Sequence, residues 1–287
     1  MSVFRQFAPL GITLLMMLSG CALWHKEEVT EPPKLPTGRM ATDTVVLEIA
    51  FVRLSGDALL QQDDLWRQVD EQQLSADLRV RMRENGMRVG VVGSQLPPLL
   101  RKLLEEKSDP LAITGPGMDN GDVTASQRQL QSRAGKRGVI LAGMKREQLT
   151  LLMHAQGQVT GQDFEDAQCL FAVKTFPQGD GRVRLELTPE IEHGQAKQRW
   201  KGQEGAFRVE ASKDHKVLDL LKMDLLLAPG DVLVLSCTPD QIGLGKQFFA
   251  DAKPGEQKVM LIRLAQTQYD DVFAPDSLPK TLVTPSE

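Results

Sequence analysis

"GRVRLELTPEIEHG", residues 181–194, alternates apolar and polar side chains with a period of two. Val183, Leu185, Leu187 and Ile191 point one way, and Arg184, Glu186, Thr188, Glu190 and Glu192 point the other. Successive side chains of a strand leave opposite faces of its sheet, so the stretch predicts a strand with one face packed and one wet. On either side of it, "GVILAGM" (138–144), "CLFAVKTF" (169–176), "AFRVEA" (206–211), "LLKMDLLLA" (220–228), "VLVLSC" (232–237) and "KVMLIRLAQ" (258–266) read as further strands. "APGD" (228–231) is a turn between two of them. Residues 138–269 are therefore expected to form a mainly antiparallel β domain.

The segment before it, 44–107, reads as a small β-α-β-α unit, which makes the whole chain α+β. "TVVLEIAFVRL" (44–54) is β-branched and largely apolar, as a buried strand requires. In "QQDDLWRQVDEQQLSADLRVRMREN" (61–85), Leu65, Trp66, Val69, Leu74, Leu78 and Met82 keep a helical beat, and Asn85-Gly86 supplies a stop. "MRVGVVG" (87–93) is a second strand, and "LPPLLRKLLEE" (96–106) starts a helix with proline in its first turn. A unit of this order predicts parallel or mixed pairing. Residues 108–137, built around "TGPGMDNGD", are expected to be a linker between the two parts.

Both termini have a different character. An apolar run from about Phe7 to Leu18 follows the single positive charge of Arg5. It is shorter than the roughly 20 residues a spanning helix needs and suits the core of a signal peptide. It ends in Leu18-Ser19-Gly20-Cys21, a tetrad that resembles the bacterial lipobox. That resemblance implies cleavage of residues 1–20 and acylation of the Cys21 thiol, with membrane lipid as the first partner. An ordinary signal peptide with a chance cysteine is the alternative. Ala22 stands where the usual inner-membrane retention signal has Asp, so the resemblance favours outer-membrane attachment, facing the periplasm. Residues 21–43 are polar and proline-bearing and read as a flexible tether, and 270–287 as a disordered tail.

The chemistry-bearing residues form no catalytic set. His193 lies beside Glu190 and Glu192 in sequence, but on a strand 190 and 192 share a face and 193 points away. The four histidines, His25, His154, His193 and His215, lack metal-ligand spacing, so no metal site is expected. "GVVGSQLPPLL" (90–100) matches no phosphate-binding pattern and is better read as a turn. In "IGLGKQFF" (242–249), Asp240 stands where a P-loop would begin and Gln247 replaces its Ser/Thr, so it reads as a glycine-rich turn before a strand. No cofactor and no enzymatic activity are expected. The formal charge of −4 becomes −5 once residues 1–20 are removed, and no basic run offers a nucleic-acid surface. With Cys21 consumed by lipid, Cys169 and Cys237 remain, an even pair in an oxidising compartment. They are candidates for a disulfide worth about 2–4 kcal/mol, with two buried free thiols as the alternative.

"VRLELTPEIEHG" followed by "LLLAPGDVLVLSC" resembles the core of bacterial secretins, the ring-forming outer-membrane channel proteins. The usual glycine-rich ending is replaced here by Ser236-Cys237-Thr238-Pro239, and secretins are much longer. The resemblance implies a secretin-related envelope component with a structural or assembly role, self-associating or joined to other envelope proteins. The other expectation is a tethered monomeric module that binds a ligand or partner.

Overall fold

The computed structural model describes residues 43–106, 125–203, 206–250 and 255–268, so the expected leader, Cys21, the tether up to 42 and the tail lie outside the described residues. In chain order the strands are β1 (Thr44–Leu54), β2 (Met87–Val92), β3 (Ala125–Arg133), β4 (Gly138–Leu141), β5 (Arg146–Ala155), β6 (Gln158–Pro177), β7 (Val183–Gln203), β8 (Ala206–Val217), β9 (Met223–Leu227), β10 (Val232–Cys237) and β11 (Gln257–Thr267). The helices are α1 (Asp57–Leu60), α2 (Gln62–Trp66), α3 (Ala76–Glu84), α4 (Pro98–Glu106) and α5 (Gly243–Phe249). The protein is thus mostly antiparallel β-sheet with a few short helices.

One sheet has the order β2-β10-β11-β1-β3, and every pairing in it is antiparallel. The front segment and the C-terminal segment therefore interleave: β1 lies against β11, and β2 against β10. The parallel or mixed pairing expected for 44–107 does not occur, because β1 and β2 are separated by the two C-terminal strands. Part of the expected linker, 125–133, is the edge strand β3. β10 is buried at all six positions because both faces of this sheet are covered. Val232 and Val234 pack with Leu65, Trp66, Leu100 and Leu103 of α2 and α4. Leu233, Leu235 and Cys237 face the larger core shared with the second sheet.

The stretch expected as one helix over 61–85 is broken, and the break has a physical cause. Leu65, Trp66 and Val69 are buried on the helix-covered face of the sheet, whereas Leu74, Leu78 and Met82 are buried in the core on its other face. The chain wraps around the edge strand β2 between them. Asp70 donates its N–H to the Val91 carbonyl (2.9 Å) and accepts the Val91 N–H (2.8 Å), a bridge that pulls the backbone out of helical geometry. α3 then restarts with Ser75 as its cap, accepting the Leu78 N–H at 3.3 Å. Interrupting the helix forfeits a few hydrogen bonds worth about 0.5–1.5 kcal/mol each. Burying three large apolar side chains on each face returns about 1.5–3 kcal/mol apiece, so wrapping wins.

The second sheet has the order β4-β6-β7-β8, with β5 continuing beside β6 and β9 beside β7. Val183, Leu185, Leu187 and Ile191 are fully buried in the inter-sheet core, while the alternate residues up to Thr188 face outward. Residues 243–249, expected as a turn before a strand, form α5 instead. Phe248 and Phe249 of α5 close on Phe171 of β6 at centroid distances of 5.0 and 6.0 Å. The glycines of this segment serve backbone contact. Gly245 donates to the Asn85 carbonyl at 2.9 Å, and a Cβ on Gly245 would lie 1.7 Å from the Gly86 carbonyl oxygen.

Candidate functional site

β6 and β7 run for 20 and 21 residues, but they pair with each other only from Gln168↔Glu192 to Pro177↔Val183. Beyond that point they part. The first half of β6 pairs with β5 from Ala155↔Gln158 to Arg146↔Ala167, and the second half of β7 pairs with β8. The result is a fork of two hairpin arms. Its branch point is written in the backbone: Asp166 and Gly194 both take positive φ, at +50° and +73°. Between the pairs His193↔Asp214 and Lys197↔Ser212, β7 advances four residues while β8 advances two. Such a bulge bends the strand and ends its ladder with β6. The cleft between the arms, about 480 Å³, is lined by Glu147, Gln148, Glu165, Asp166, Gly194 and Gln195.

The strand edges of the fork are treated unequally. The outer edge of β5 is covered by side chains from the body. Asn85 donates from Nδ2 to the His154 carbonyl (2.9 Å) and accepts the His154 N–H at Oδ1 (2.8 Å). Gln247 donates to the Thr150 carbonyl at 3.0 Å and is itself held by Arg146. By contrast, no strand pairs with the inner edge of β6 over 158–166 or with the outer edge of β8 among the described residues. Lys213 reaches across the branch point, donating from Nζ to the Asp166 carbonyl at 3.0 Å. Residues 158–163 are exposed on both faces of the sheet, and Leu152 and Val159 stand 52% and 59% exposed on one of them.

Glu190, expected on the wet face, is 6% exposed. Its Oε2 accepts from Arg137 Nη2 at 2.6 Å and lies 3.1 Å from His215 Nδ1. His215 Nε2 is 3.9 Å from Glu192 Oε2. The chain Arg137–Glu190–His215–Glu192 thus ties the approach to β4, β7 and β8 together just below the branch point. His193, next to Glu192 in sequence, is turned away and packs on the Phe164 ring at 4.8 Å. The histidine that joins the two glutamates is His215, which the β7–β8 register places opposite Glu192. Only the pairing of "ASKDHKV" with this strand could have revealed it. Farther along β7, Glu186 is held below the usual carboxylate range by the hydrogen bond from Lys222.

Cys169 and Cys237, the candidates for a disulfide or for two buried thiols, are both buried free thiols in the structure, on strands of different sheets. Burial pushes Cys169 up to about 12 and Cys237 up to about 11. The Cys237 thiol donates to Gln257 Oε1 at 3.2 Å, a satisfied position inside the core. Arg137 is ion-paired with Glu190, and the cluster as a whole joins β7, β8 and the approach to β4. Among the described residues, no three His, Cys, Asp or Glu side chains are grouped to hold a metal, and no helix is long and apolar enough to cross a membrane.

The fold and fork define an antiparallel β protein with two divergent arms. No protein-family model matches the chain, and no curated protein sequence matches it either. Among solved structures, the InvG secretin domain β-barrel from the Salmonella SPI-1 injectisome NC-base is similar at 11% identity, over 83% of this chain and 66% of that one. The TM-score is 0.21, too low for the two backbones to be superposed as one fold.

Proposed function

We propose that this is a lipid-anchored envelope protein that works as a structural, self-associating component, with Cys21 at the outer membrane and the β body facing the periplasm. Support for the anchor comes from Leu18-Ser19-Gly20-Cys21 and the polar segment after it. Support for a secretin-related role comes from the strand grammar of 183–194 and 225–237.

The observation that carries self-association is the opposite charge of two arms with open edges. Residues 146–167 hold one Arg against four Asp or Glu, a formal −3; residues 193–217 hold six Lys or Arg against three Asp or Glu, a formal +3. Addition of β8 of one copy to the open inner edge of β6 in the next satisfies backbone groups on both edges and brings these charges together. The contact joins two different surfaces, so it propagates head to tail and closes into a ring when the rotation permits.

Light scattering on the lipidated, detergent-extracted protein, with negative-stain images of the same peak, tests the reading. A multimeric particle that dissociates when Asp163 and Glu165 are changed to Lys, and re-forms when Lys197 and Lys213 are changed to Glu in the same chain, is the expected result. One chain per micelle at every concentration refutes it and leaves the tethered binding module.

A further inference from the structure

The Arg137–Glu190–His215–Glu192 chain stands where the basic arm leaves the sheet, one residue pair below the register break. Its two carboxylates differ in how they are served. Glu190 is almost fully buried and takes hydrogen bonds from both sides. Glu192, with about a third of its side chain exposed, has the far nitrogen of His215 beside it at 3.9 Å. A neutral imidazole with its proton on Nδ1 donates to Glu190 and presents a lone pair to Glu192. A protonated imidazole presents an N–H to each.

We propose that His215 makes the attachment of the β8 arm to β7 depend on pH, and that self-association tightens as the ring takes up a proton. The inference rests on the self-association reading for its second half only. A histidine ring changes charge between about pH 5 and pH 8. The charged groups facing it are Glu190 and Glu192 on β7, Arg137 on the approach to β4, and Lys213 two residues along β8, whose Nζ is turned to the Asp166 carbonyl. Opposite Glu192 on β6 stands Gln168, which carries no charge.

Protonation does two things in the same direction. It adds a second tie between β8 and β7 beside the bulge, within the last regular pairs before the register breaks, and it raises the formal charge of the arm from +3 to +4. Both favour docking on the acidic edge of β6.

The test measures association of the lipidated, detergent-solubilised full chain between pH 8 and pH 6, together with hydrogen exchange of the amides of 206–217. Wild type is expected to associate about fivefold more tightly at pH 6, the weight of one partly exposed ion pair, with slower exchange in 206–217. His215→Gln is expected to lose both pH responses at the weak end, and His215→Lys to lose them at the tight end. His154→Gln is expected to keep them. If His215→Gln retains the wild-type pH responses, the proposal is overturned. If nothing associates at any pH, the self-association reading fails, and the exchange data alone decide whether His215 latches the arm.

Discussion

Asn85→Ala probes what separates the two kinds of edge in this protein. Asn85 is 1% exposed and makes three side-chain hydrogen bonds: Nδ2 donates to the Arg81 carbonyl at 2.8 Å and to the His154 carbonyl at 2.9 Å, and Oδ1 accepts the His154 N–H at 2.8 Å. The first closes the last turn of α3, and the other two stand in for a neighbouring strand at β5. Alanine deletes all three and leaves the His154 N–H and C=O facing a protein surface with no side chain to answer them. A made bond is worth about 0.5–1.5 kcal/mol, and a stranded buried group costs about 1–3. Because His154 is only partly buried, the expected loss is about 2–4 kcal/mol, a fall in Tm of roughly 5–15 °C for a body of this size. The assay is urea unfolding followed by circular dichroism, with hydrogen exchange resolved by segment. Exchange is expected to rise first in 146–155, since the helix end keeps its backbone bond from Gly245 to the Asn85 carbonyl. Asn85→Asp restores the acceptor but not the donor and is expected to recover less than half of the loss. A change below about 0.5 kcal/mol, the low end for a single made bond, or exchange that rises evenly across both sheets, refutes the idea that this side chain closes the β5 edge.

Two further outcomes follow from the core. Gly245→Ala places a methyl 1.7 Å from the Gly86 carbonyl oxygen, so the Asn85–Gly86 crossing must open. The expected cost is about 3 kcal/mol in chemical denaturation, whereas Gly161→Ala, with only an ordinary contact at 3.5 Å to Leu152, costs little. The thiols Cys169 and Cys237 are expected to resist thiol reagents in the native protein at pH 8 and to react, two per lipidated chain, once it is denatured. Their folded-state values of about 12 and about 11 lie above the ordinary 9.0. The unfolded chain therefore releases these protons first, and stability falls as pH climbs from about 9 until the folded thiols ionise near 11–12. A Cys169→Ala, Cys237→Ala double variant is expected to show a flatter alkaline limb; an unchanged limb contradicts the assignment.

How far the sequence could be read depended on whether a residue's surroundings are local. β1 and β10 fall on the residues their apolar runs mark, because covered strands announce themselves as continuous Val, Leu and Ile. β3, "ASQRQLQSR", escapes notice because an edge strand needs no apolar stripe, and β5 because its alternation is blurred by exposed Leu152. The break within 61–85 was hidden for a subtler reason. Its two triads of apolar residues keep one helical phase while serving opposite faces of a sheet, and nothing in the period says so. Of the site, Glu190 and Glu192 were visible, and His193 does point away from them, as strand alternation requires. His215 and Arg137 come from other parts of the sheet, and only the register brings them in.

The distribution of closed and open edges bears directly on role. An unpaired strand edge is a liability in water, and proteins blunt it unless it is used. Here β2 is closed by the Asp70 bridge and β5 by Asn85 and Gln247, each drawn from a distant part of the chain. β3 is an edge by topology, but with a single leucine among Ser, Gln, Arg and Ala it has little apolar surface to recruit a partner. Among the described residues no strand pairs with the inner edge of β6 over 158–166 or with the outer edge of β8, and Lys213 covers the former at the Asp166 carbonyl; the two edges sit on arms of opposite charge. A two-stranded hairpin is at best marginally stable alone in water. The β5–β6 arm nevertheless extends past the last residue of β6 that β7 covers, and carries Leu152 and Val159 exposed. The β5–β6 arm thus has one edge closed by two side chains and, among the described residues, no strand on the other over 158–166, which is the asymmetry that the proposed head-to-tail assembly draws on.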